Sequence, residues 1–310
     1  MAILLSTKAN AMQDWKRALL ALDNSLDIRM FPDAGAPEDI EAAVCWTAHD
    51  MAELRRYPNL KLIVSMGAGV DHLLRPPGPP PGIPVARLVD RLLTSAMSEW
   101  VLLNVLRFHR QDQAYRAQQA ARVWDELPAP ATEATRIGIL GVGALGSDAA
   151  AKLGALGFPV AGWSRREKTL PGVQGFHGAA GLDAMLAQSD FLVCLLPLTP
   201  DTRGIINART LGLLPRGAFV LNAARGGHVV DDALLAALAS GQVAGAALDV
   251  FEPEPLPAAH PFWAHPKVVM TPHAASITIP ESVAPQVVEN IRRARAGAPL
   301  LNLVDFAAGY

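Results

Sequence analysis

The chain has 310 residues, 51% of them hydrophobic and 18% charged, with a formal net charge of -2. That length holds two domains that each bury a core, and the near-neutral balance gives no basic excess to point to nucleic acid. No apolar run nears the roughly 20 residues of a membrane span, and the first apolar run follows no basic segment, so it reads as a strand and not as a signal peptide. No membrane association and a cytoplasmic location are the expectation.

Short apolar strands are predicted at residues 2–6, 28–31, 42–46, 60–66 and 85–88, with helices at 12–22 and 50–56. Such alternation predicts a parallel sheet covered on both faces. The proline-rich stretch 75–82 reads as a stiff connection rather than a polyproline ligand. Cys45, and later Cys194, sit inside apolar strand-like runs, which predicts buried free thiols. Residues 94–127 are predicted to be mostly helical, broken near His109 and capped by Ser95 or Ser98. Trp100, Leu103, Leu106 and Phe108 make an apolar face there, for a partner or for the subunit's own interior. Six more strands follow at 137–140, 160–163, 191–196, 218–221, 245–250 and 268–271, with intervening helices, which fits a doubly wound dinucleotide domain. A last helix at 279–291 is expected to return to the first domain, making that domain discontinuous.

Between the strand at 137–140 and a helix at 147–156, Gly141, Gly143 and Gly146 fit G-x-G-x-x-G, with Ala144 and Leu145 inside the motif. The first glycine allows a tight turn, the second lets a pyrophosphate approach the backbone, and the third packs helix against strand. The helix start offers N–H groups and a positive dipole end to phosphates. The strand-turn-helix setting favours a dinucleotide site over a plain structural turn. An acidic residue about 20 positions on normally holds the ribose hydroxyls of NAD. Ser164 stands there instead, followed by Arg165 and Arg166, with Lys168 just beyond. A hydroxyl and two guanidinium groups suit a 2′-phosphate, so NADP is expected over NAD. The plain alternative is a solvated basic turn.

The segments LNAARGGHVVDD (221–232), ALDVFEPEPLP (247–257) and VVMTPHAAS (268–276), with GVGALG and SMGAGVDHL (65–73), resemble the D-isomer-specific 2-hydroxyacid dehydrogenase family over most of the chain. WSRREKTLPGVQGF, LLPLTPDTRGIIN and the terminal GY are similar to its NADPH-dependent glyoxylate/hydroxypyruvate reductase A branch. The resemblance implies an α/β fold of two doubly wound parallel-sheet domains. A Rossmann-type dinucleotide domain, 95–276, is inserted in a discontinuous flavodoxin-like substrate domain, 1–94 and 277–310. It implies hydride transfer from NADPH to a small 2-keto acid, glyoxylate or hydroxypyruvate, in an interdomain cleft whose closure excludes water. It further implies a homodimer paired through the dinucleotide domains. Trp124 resembles a family tryptophan that reaches the neighbouring subunit's pocket; a helix-end core residue is its other reading.

Carried over by motif, the catalytic residues are Arg225, Glu254 and His273. Reducing a 2-keto acid requires a proton on the carbonyl oxygen, and imidazole titrates near neutral pH. A carboxylate beside the ring favours its charged form, and a guanidinium binds the acid and stabilises charge on the carbonyl oxygen. Taken singly, each has an ordinary reading: a satisfied loop histidine, a salt bridge, a solvated carboxylate. Together, each at or beyond a strand end, they favour catalysis. Glu254 argues against the formate dehydrogenase branch, where a glutamine takes that role, and no extra C-terminal regulatory domain of the phosphoglycerate dehydrogenase kind is expected.

The resemblance adds Leu196, Pro197, Thr202, Ala223, Ala224 and Asp249 along the cofactor. Thr202 otherwise caps the next helix, and Asp249 is otherwise a solvated turn carboxylate. It assigns the substrate carboxylate to the turn Gly67–Ala68–Gly69, whose backbone N–H groups suit an anion, with Trp46 as a pocket wall or as core packing. His49, His72, His109, His177, His228, His260 and His265 show no metal-like spacing, so no metal is expected. The alternative function is a dinucleotide-sensing binding protein of the same fold, as in the family's corepressors, or a dehydrogenase for a different 2-hydroxy acid.

Overall fold

The computed structural model describes residues 2–7, 9–46, 50–307 and 309. The chain opens with β1 (Ala2–Ser6), α1 (Ala9–Leu22), β2 (Asp27–Met30), β3 (Ile40–Cys45), α2 (Asp50–Glu53), β4 (Leu62–Ser65), α3 (Asp71–Leu74) and β5 (Val85–Ala86). It continues through α4 (Arg91–His109), α5 (Asp112–Ala121), β6 (Ile137–Leu140), α6 (Ala144–Ala155), β7 (Val160–Ser164), β8 (Val173–His177) and α7 (Gly178–Leu186). Then come β9 (Phe191–Cys194), α8 (Ala208–Leu213), β10 (Ala218–Asn222), α9 (Asp231–Ser240), β11 (Val243–Leu248), β12 (Val268–Met270) and α10 (Pro280–Ala296). Two compact units result, one of Met1–Leu93 with Thr278–Tyr310 and one of Thr94–Ile277.

In the first unit a parallel sheet runs in the order β2-β1-β3-β4-β5, which is the flavodoxin-like order. Alternate residues divide between its faces, as the pleat requires. Ile3, Leu5, Val44 and Val64 pack with Trp15 and Leu19 of α1 and Val283, Val287 and Ile291 of α10. Leu4, Ala43, Cys45 and Ile63 pack on the other face with Met51, Leu54 and Leu73. The returning segment is pinned by Gln286, whose amide donates to the Val89 carbonyl at 3.1 Å and accepts from the Val89 N–H at 3.2 Å.

In the second unit the order is β12-β11-β10-β9-β6-β7-β8, again parallel throughout. Ile137, Ile139, Val193 and Leu221 face Val101, Val105 and Phe108 of α4 and Ala149 and Leu153 of α6. Leu140, Leu192, Val220 and Leu248 face Leu186, Leu211, Leu234 and Leu238 on the other side. Helices on both faces of an all-parallel sheet make this a doubly wound Rossmann-type fold.

Several expectations need correction. Seven strands are present among the described residues of this sheet, not six: β8 is an edge strand with mostly exposed residues and Gly175 at its centre, so it carries no apolar run. The helix from 94 to 127 is two helices ending at Ala121, and its start is capped by neither serine. Asp90 accepts from the Leu92 and Leu93 N–H groups at 2.9 and 3.1 Å, while Ser98 donates to Asp148 at 2.5 Å. The apolar stripe on α4 is divided: Trp100 and Phe108 are buried, whereas Leu103 and Leu106 are exposed. Trp124 is wholly exposed, which excludes its reading as a core residue. Both cysteines are buried free thiols, as expected.

Candidate active site

The crevice beyond the carboxyl ends of the strands, where the order reverses, is the ligand site of doubly wound sheets. In the second unit that point lies between β6 and β9, and the glycine motif follows β6. Each motif glycine is there for a different steric reason. Gly141 has φ +96°, and a Cβ on it would lie 2.8 Å from the Leu195 carbonyl oxygen, so the turn after β6 rests directly on the loop after β9. A Cβ on Gly146 would lie 2.0 Å from the Gly141 carbonyl oxygen, so the third glycine seats α6 on the turn. A Cβ on Gly143 would meet nothing within 4 Å. The middle glycine therefore opens the backbone to a ligand.

Gly143 is also the N-cap of α6, without a side-chain cap and without an acidic residue in the first turn. Helix-end N–H groups and the positive dipole end lie behind that open face. The helix begins at Ala144, so Ala144 and Leu145 belong to its first turn. Lys168 folds back and donates to the Val142 carbonyl, adding a cation beside the turn. These features fit a dinucleotide pyrophosphate.

Ser164 ends β7, and its hydroxyl donates to the Arg166 carbonyl at 2.7 Å. Arg165 and Arg166 are exposed on that turn. Leu196 is buried and Pro197 half-buried just beyond β9. Thr202 neither caps α8 nor points its proton outward. Its hydroxyl donates to the Pro197 carbonyl at 2.7 Å and accepts from the Thr199 N–H at 2.9 Å, while α8 is capped by Asn207.

The next three strands end at one edge. Asn222 closes β10, fully buried, accepting from the Ala224 N–H at 3.1 Å and donating to the Arg225 carbonyl at 2.9 Å. Ala223 and Ala224 are buried in that turn. Arg225 follows, its guanidinium donating to the Ala224 carbonyl at 2.7 Å. A Cβ on Gly226 would lie 2.0 Å from the Phe251 carbonyl carbon, so the glycine after Arg225 lets the loop beyond β11 close on it. Glu254 lies on that loop. Its Oε1 accepts from the Phe251 N–H at 2.9 Å and its Oε2 meets His273 Nδ1 at 2.8 Å.

His273 follows β12 with φ +54°, a left-handed conformation uncommon for a residue with a side chain. Its N–H donates to the Asp249 carbonyl at 2.7 Å. The Asp249 carboxylate is buried and receives the Thr271 hydroxyl at 2.6 Å and the Ala274 and Ala275 N–H groups at 2.8 and 3.0 Å. Asp249 is therefore not a solvated turn carboxylate. Its hydrogen bonds hold the segment that carries His273.

Burial pushes the Glu254 carboxyl up. The His273 hydrogen bond, the Phe251 N–H and the charges of His273 and Arg225 outweigh it and hold the group below the usual carboxylate range. The structure thus gathers Arg225, Glu254 and His273. Both Glu254 and His273 are about one-third exposed, so they remain open to small solutes. Asn222, Thr271 and Trp100 were not apparent as site residues in the sequence; Asn222 and Thr271 left a trace, each as a polar residue at the end of an apolar strand.

In the first unit, Trp46 and the Gly67–Ala68–Gly69 turn follow β3 and β4. A Cβ on Gly67 would lie 2.4 Å from the Trp46 ring, and that ring also packs against His72, tilted at 47° with the ring centroids 4.5 Å apart. The Gly67 N–H is directed at Ser65 Oγ, 3.3 Å away. Among the described residues no group of three or more His, Cys, Asp or Glu side chains is arranged to hold a metal, and His49 lies outside them. Among the same residues no helix is long and apolar enough to cross a membrane.

The model of the D-isomer specific 2-hydroxyacid dehydrogenase NAD binding domain matches residues 102–275. A curated glyoxylate/hydroxypyruvate reductase A of Yersinia enterocolitica is 44% identical over 256 residues, 81% of this chain and 82% of that protein. A D-isomer specific 2-hydroxyacid dehydrogenase of Xanthobacter autotrophicus Py2, solved with NADPH and MES, superposes with a TM-score of 0.95 at 45% identity, covering 100% of this chain and 99% of that one. An NADPH-dependent glyoxylate/hydroxypyruvate reductase of Sinorhizobium meliloti, solved with NADP and sulfate, gives a TM-score of 0.92 at 41% identity, with 100% of both chains covered.

Proposed function

Because the chain belongs to the D-isomer specific 2-hydroxyacid dehydrogenase family, we propose that it reduces glyoxylate to glycolate and hydroxypyruvate to D-glycerate. It is an NADP-dependent oxidoreductase. The observation that carries the reduction of a keto acid is the 2.8 Å contact between Glu254 and His273, with the Arg225 charge beside it; the two substrates are taken from the names of the similar reductases. When bound, NADPH supplies the hydride that the keto carbon receives. His273 gives the carbonyl oxygen its proton from Nε2, because Nδ1 is engaged by Glu254. Glu254 orients the ring and stabilises its protonated form. Arg225 binds the keto acid and stabilises the charge that grows on the carbonyl oxygen.

Within the same proposal the second unit, 95–276 by sequence, holds the cofactor. Gly141–Gly146 and the start of α6 take the pyrophosphate, and Ser164, Arg165 and Arg166 take the 2′-phosphate. Leu196, Pro197, Thr202, Ala223, Ala224 and Asp249 border the cofactor on the ends of β9, β10 and β11. In the first unit, 1–94 with 277–310, the Gly67–Gly69 turn, with Trp46 against it, is of a kind that suits a substrate carboxylate. A homodimer is supported by the exposed Leu103, Leu106 and Trp124 of the single chain; light scattering that gives only the monomer mass at micromolar concentration would overturn it. Two buried free thiols suit the reducing cytoplasm.

The test is NADPH oxidation, followed by absorbance after adding glyoxylate or hydroxypyruvate, with NADH in parallel. Turnover by the parent, and its loss by about 10²–10⁴-fold in His273→Ala with NADPH binding retained, is the expected result. No turnover by the parent, or an undiminished His273→Ala enzyme, would reject the reading.

A further inference from the structure

The segment carrying His273 is held by a chain of hydrogen bonds that begins on α4. Trp100 is buried on that helix, and its indole N–H donates to Thr271 Oγ1 at 2.9 Å. Thr271 Oγ1 donates to Asp249 Oδ1 at 2.6 Å. Asp249, 1% exposed, takes the Ala274 N–H at 2.8 Å on the same oxygen and the Ala275 N–H at 3.0 Å on each oxygen. The Asp249 carbonyl takes the His273 N–H at 2.7 Å. One aspartate thus holds three successive backbone N–H groups, those of residues 273, 274 and 275.

The direction of the chain is fixed by chemistry. An indole N–H only donates and an ionised carboxylate only accepts. The threonine hydroxyl between them has one arrangement that satisfies both neighbours, and Thr271 is two residues from His273. All of these groups lie within the second unit. The His273 backbone at φ +54° is a conformation that the surroundings must hold in place.

We propose that Trp100 and Thr271 are positioning residues for His273, acting through Asp249. The Thr271 hydroxyl orients the Asp249 carboxylate, and that carboxylate fixes the 274–275 backbone next to His273, whose imidazole reaches Glu254. Trp100 makes the hydroxyl's orientation unique and couples it to the buried side of α4. The proposal rests on the reading of His273 as proton donor for its consequence in turnover, but its structural part stands apart from that reading.

The experiment uses the full chain and two readouts. The ring nitrogens of His273 are observed by NMR, assigned by their disappearance in His273→Ala. Glyoxylate reduction is measured at saturating NADPH. Thr271→Val keeps the shape and removes the hydroxyl, and Thr271→Ser restores the hydroxyl. In Thr271→Val the His273 signals should shift or broaden, and kcat should fall about tenfold or more, the scale of one charge-assisted hydrogen bond, with NADPH affinity kept within about twofold. Thr271→Ser should recover both readouts. Trp100→Phe removes the N–H together with part of a buried ring, so it should move both in the same direction, and it carries the test through the His273 signals if Thr271→Val does not fold. A folded Thr271→Val with unmoved His273 signals and parental kcat overturns the proposal, as does a Thr271→Ser as impaired as Thr271→Val. Shifted His273 signals in a protein that reduces no keto acid would uphold the positioning chain and reject the reading of function.

Discussion

Gly143→Ala and Gly146→Ala change the same atom count three residues apart, and the structure predicts opposite consequences. At Gly146 the new Cβ would lie 2.0 Å from the Gly141 carbonyl oxygen and 3.0 Å from its carbon. Both are backbone atoms, so no side-chain rotation relieves the clash, and α6 must move off the turn. Overpacking of this kind costs about 1–3 kcal/mol, with the upper part of that range expected for backbone. For a unit of this size about 2–3 kcal/mol corresponds to a fall of roughly 4–12 °C in melting temperature. At Gly143 the new Cβ meets nothing within 4 Å, and the backbone there, φ -74° and ψ -158°, is open to alanine. Losing a glycine N-cap and stiffening the unfolded chain oppose each other, leaving stability within about 1 kcal/mol of the parent. The methyl group instead occupies the face open to the pyrophosphate, and NADPH affinity should fall by about tenfold or more, equivalent to about 1.4 kcal/mol. Calorimetry of the cofactor-free proteins and fluorescence titration with NADPH separate the two effects. Parental NADPH affinity in Gly143→Ala, or a parental melting temperature in Gly146→Ala, would refute the steric assignment of the motif.

Glu254→Gln should move the pH profile of reduction to lower pH, because a neutral amide no longer favours the protonated ring; an unmoved profile in steady-state rates would leave Glu254 with orientation alone. Ser164→Asp with Arg165→Ala should weaken NADPH by roughly 10- to 150-fold and leave NADH equal or better, since a carboxylate repels a 2′-phosphate and one guanidinium is removed; equal efficiency of the parent with both cofactors would contradict the assignment. Asp190 accepts from Arg136 through Nε, Nη2 and the backbone N–H at 2.9, 2.8 and 2.8 Å. Burial pushes its carboxyl up, but these bonds outweigh burial and leave it below the usual range. The sign for a depressed carboxyl is stability present above its unfolded value and lost as pH falls through the folded one. Asp190→Asn should therefore lower stability by about 1 kcal/mol at neutral pH, a value reduced by partial exposure, and the difference in urea unfolding should vanish at strongly acidic pH.

The apolar strands were legible because an all-parallel sheet buries both faces and its strands read as short continuous apolar runs. The rule fails at the edge. β8, VQGFH, is mostly exposed and is defined only by pairing with β7, Ser164 to His177 among its partners, so no local apolar signal marks it. The start of α4 was misjudged for a related reason. Ser95 and Ser98 are good capping residue types, but the turn that precedes the helix belongs to Asp90, and Ser98 is drawn instead to Asp148, fifty residues away. Capping propensity identifies residue types; tertiary partners decide which one is used. The α4 stripe shows the same limit, since helical periodicity groups Trp100 with Leu103 while burial separates them.

The site was legible residue by residue, but the arrangement of its residues is a property of strand register. Asn222 pairs with Leu248, and Leu248 with Met270, so β10, β11 and β12 stop at one level. Arg225 lies three positions beyond the first stop, Glu254 six beyond the second and His273 three beyond the third, and the close contact at Gly226 folds the longer loop back over the first. A single-residue slip of β12 would carry His273 along the strand by about 3.3 Å. That exceeds the slack in a 2.8 Å hydrogen bond to Glu254 and would also take the 274 and 275 N–H groups away from Asp249. The buried Asp249 therefore penalises every register but one, because a slipped strand leaves a carboxylate in the interior without its donors. The same residue that holds the His273 segment thereby selects the register that brings His273 to Glu254.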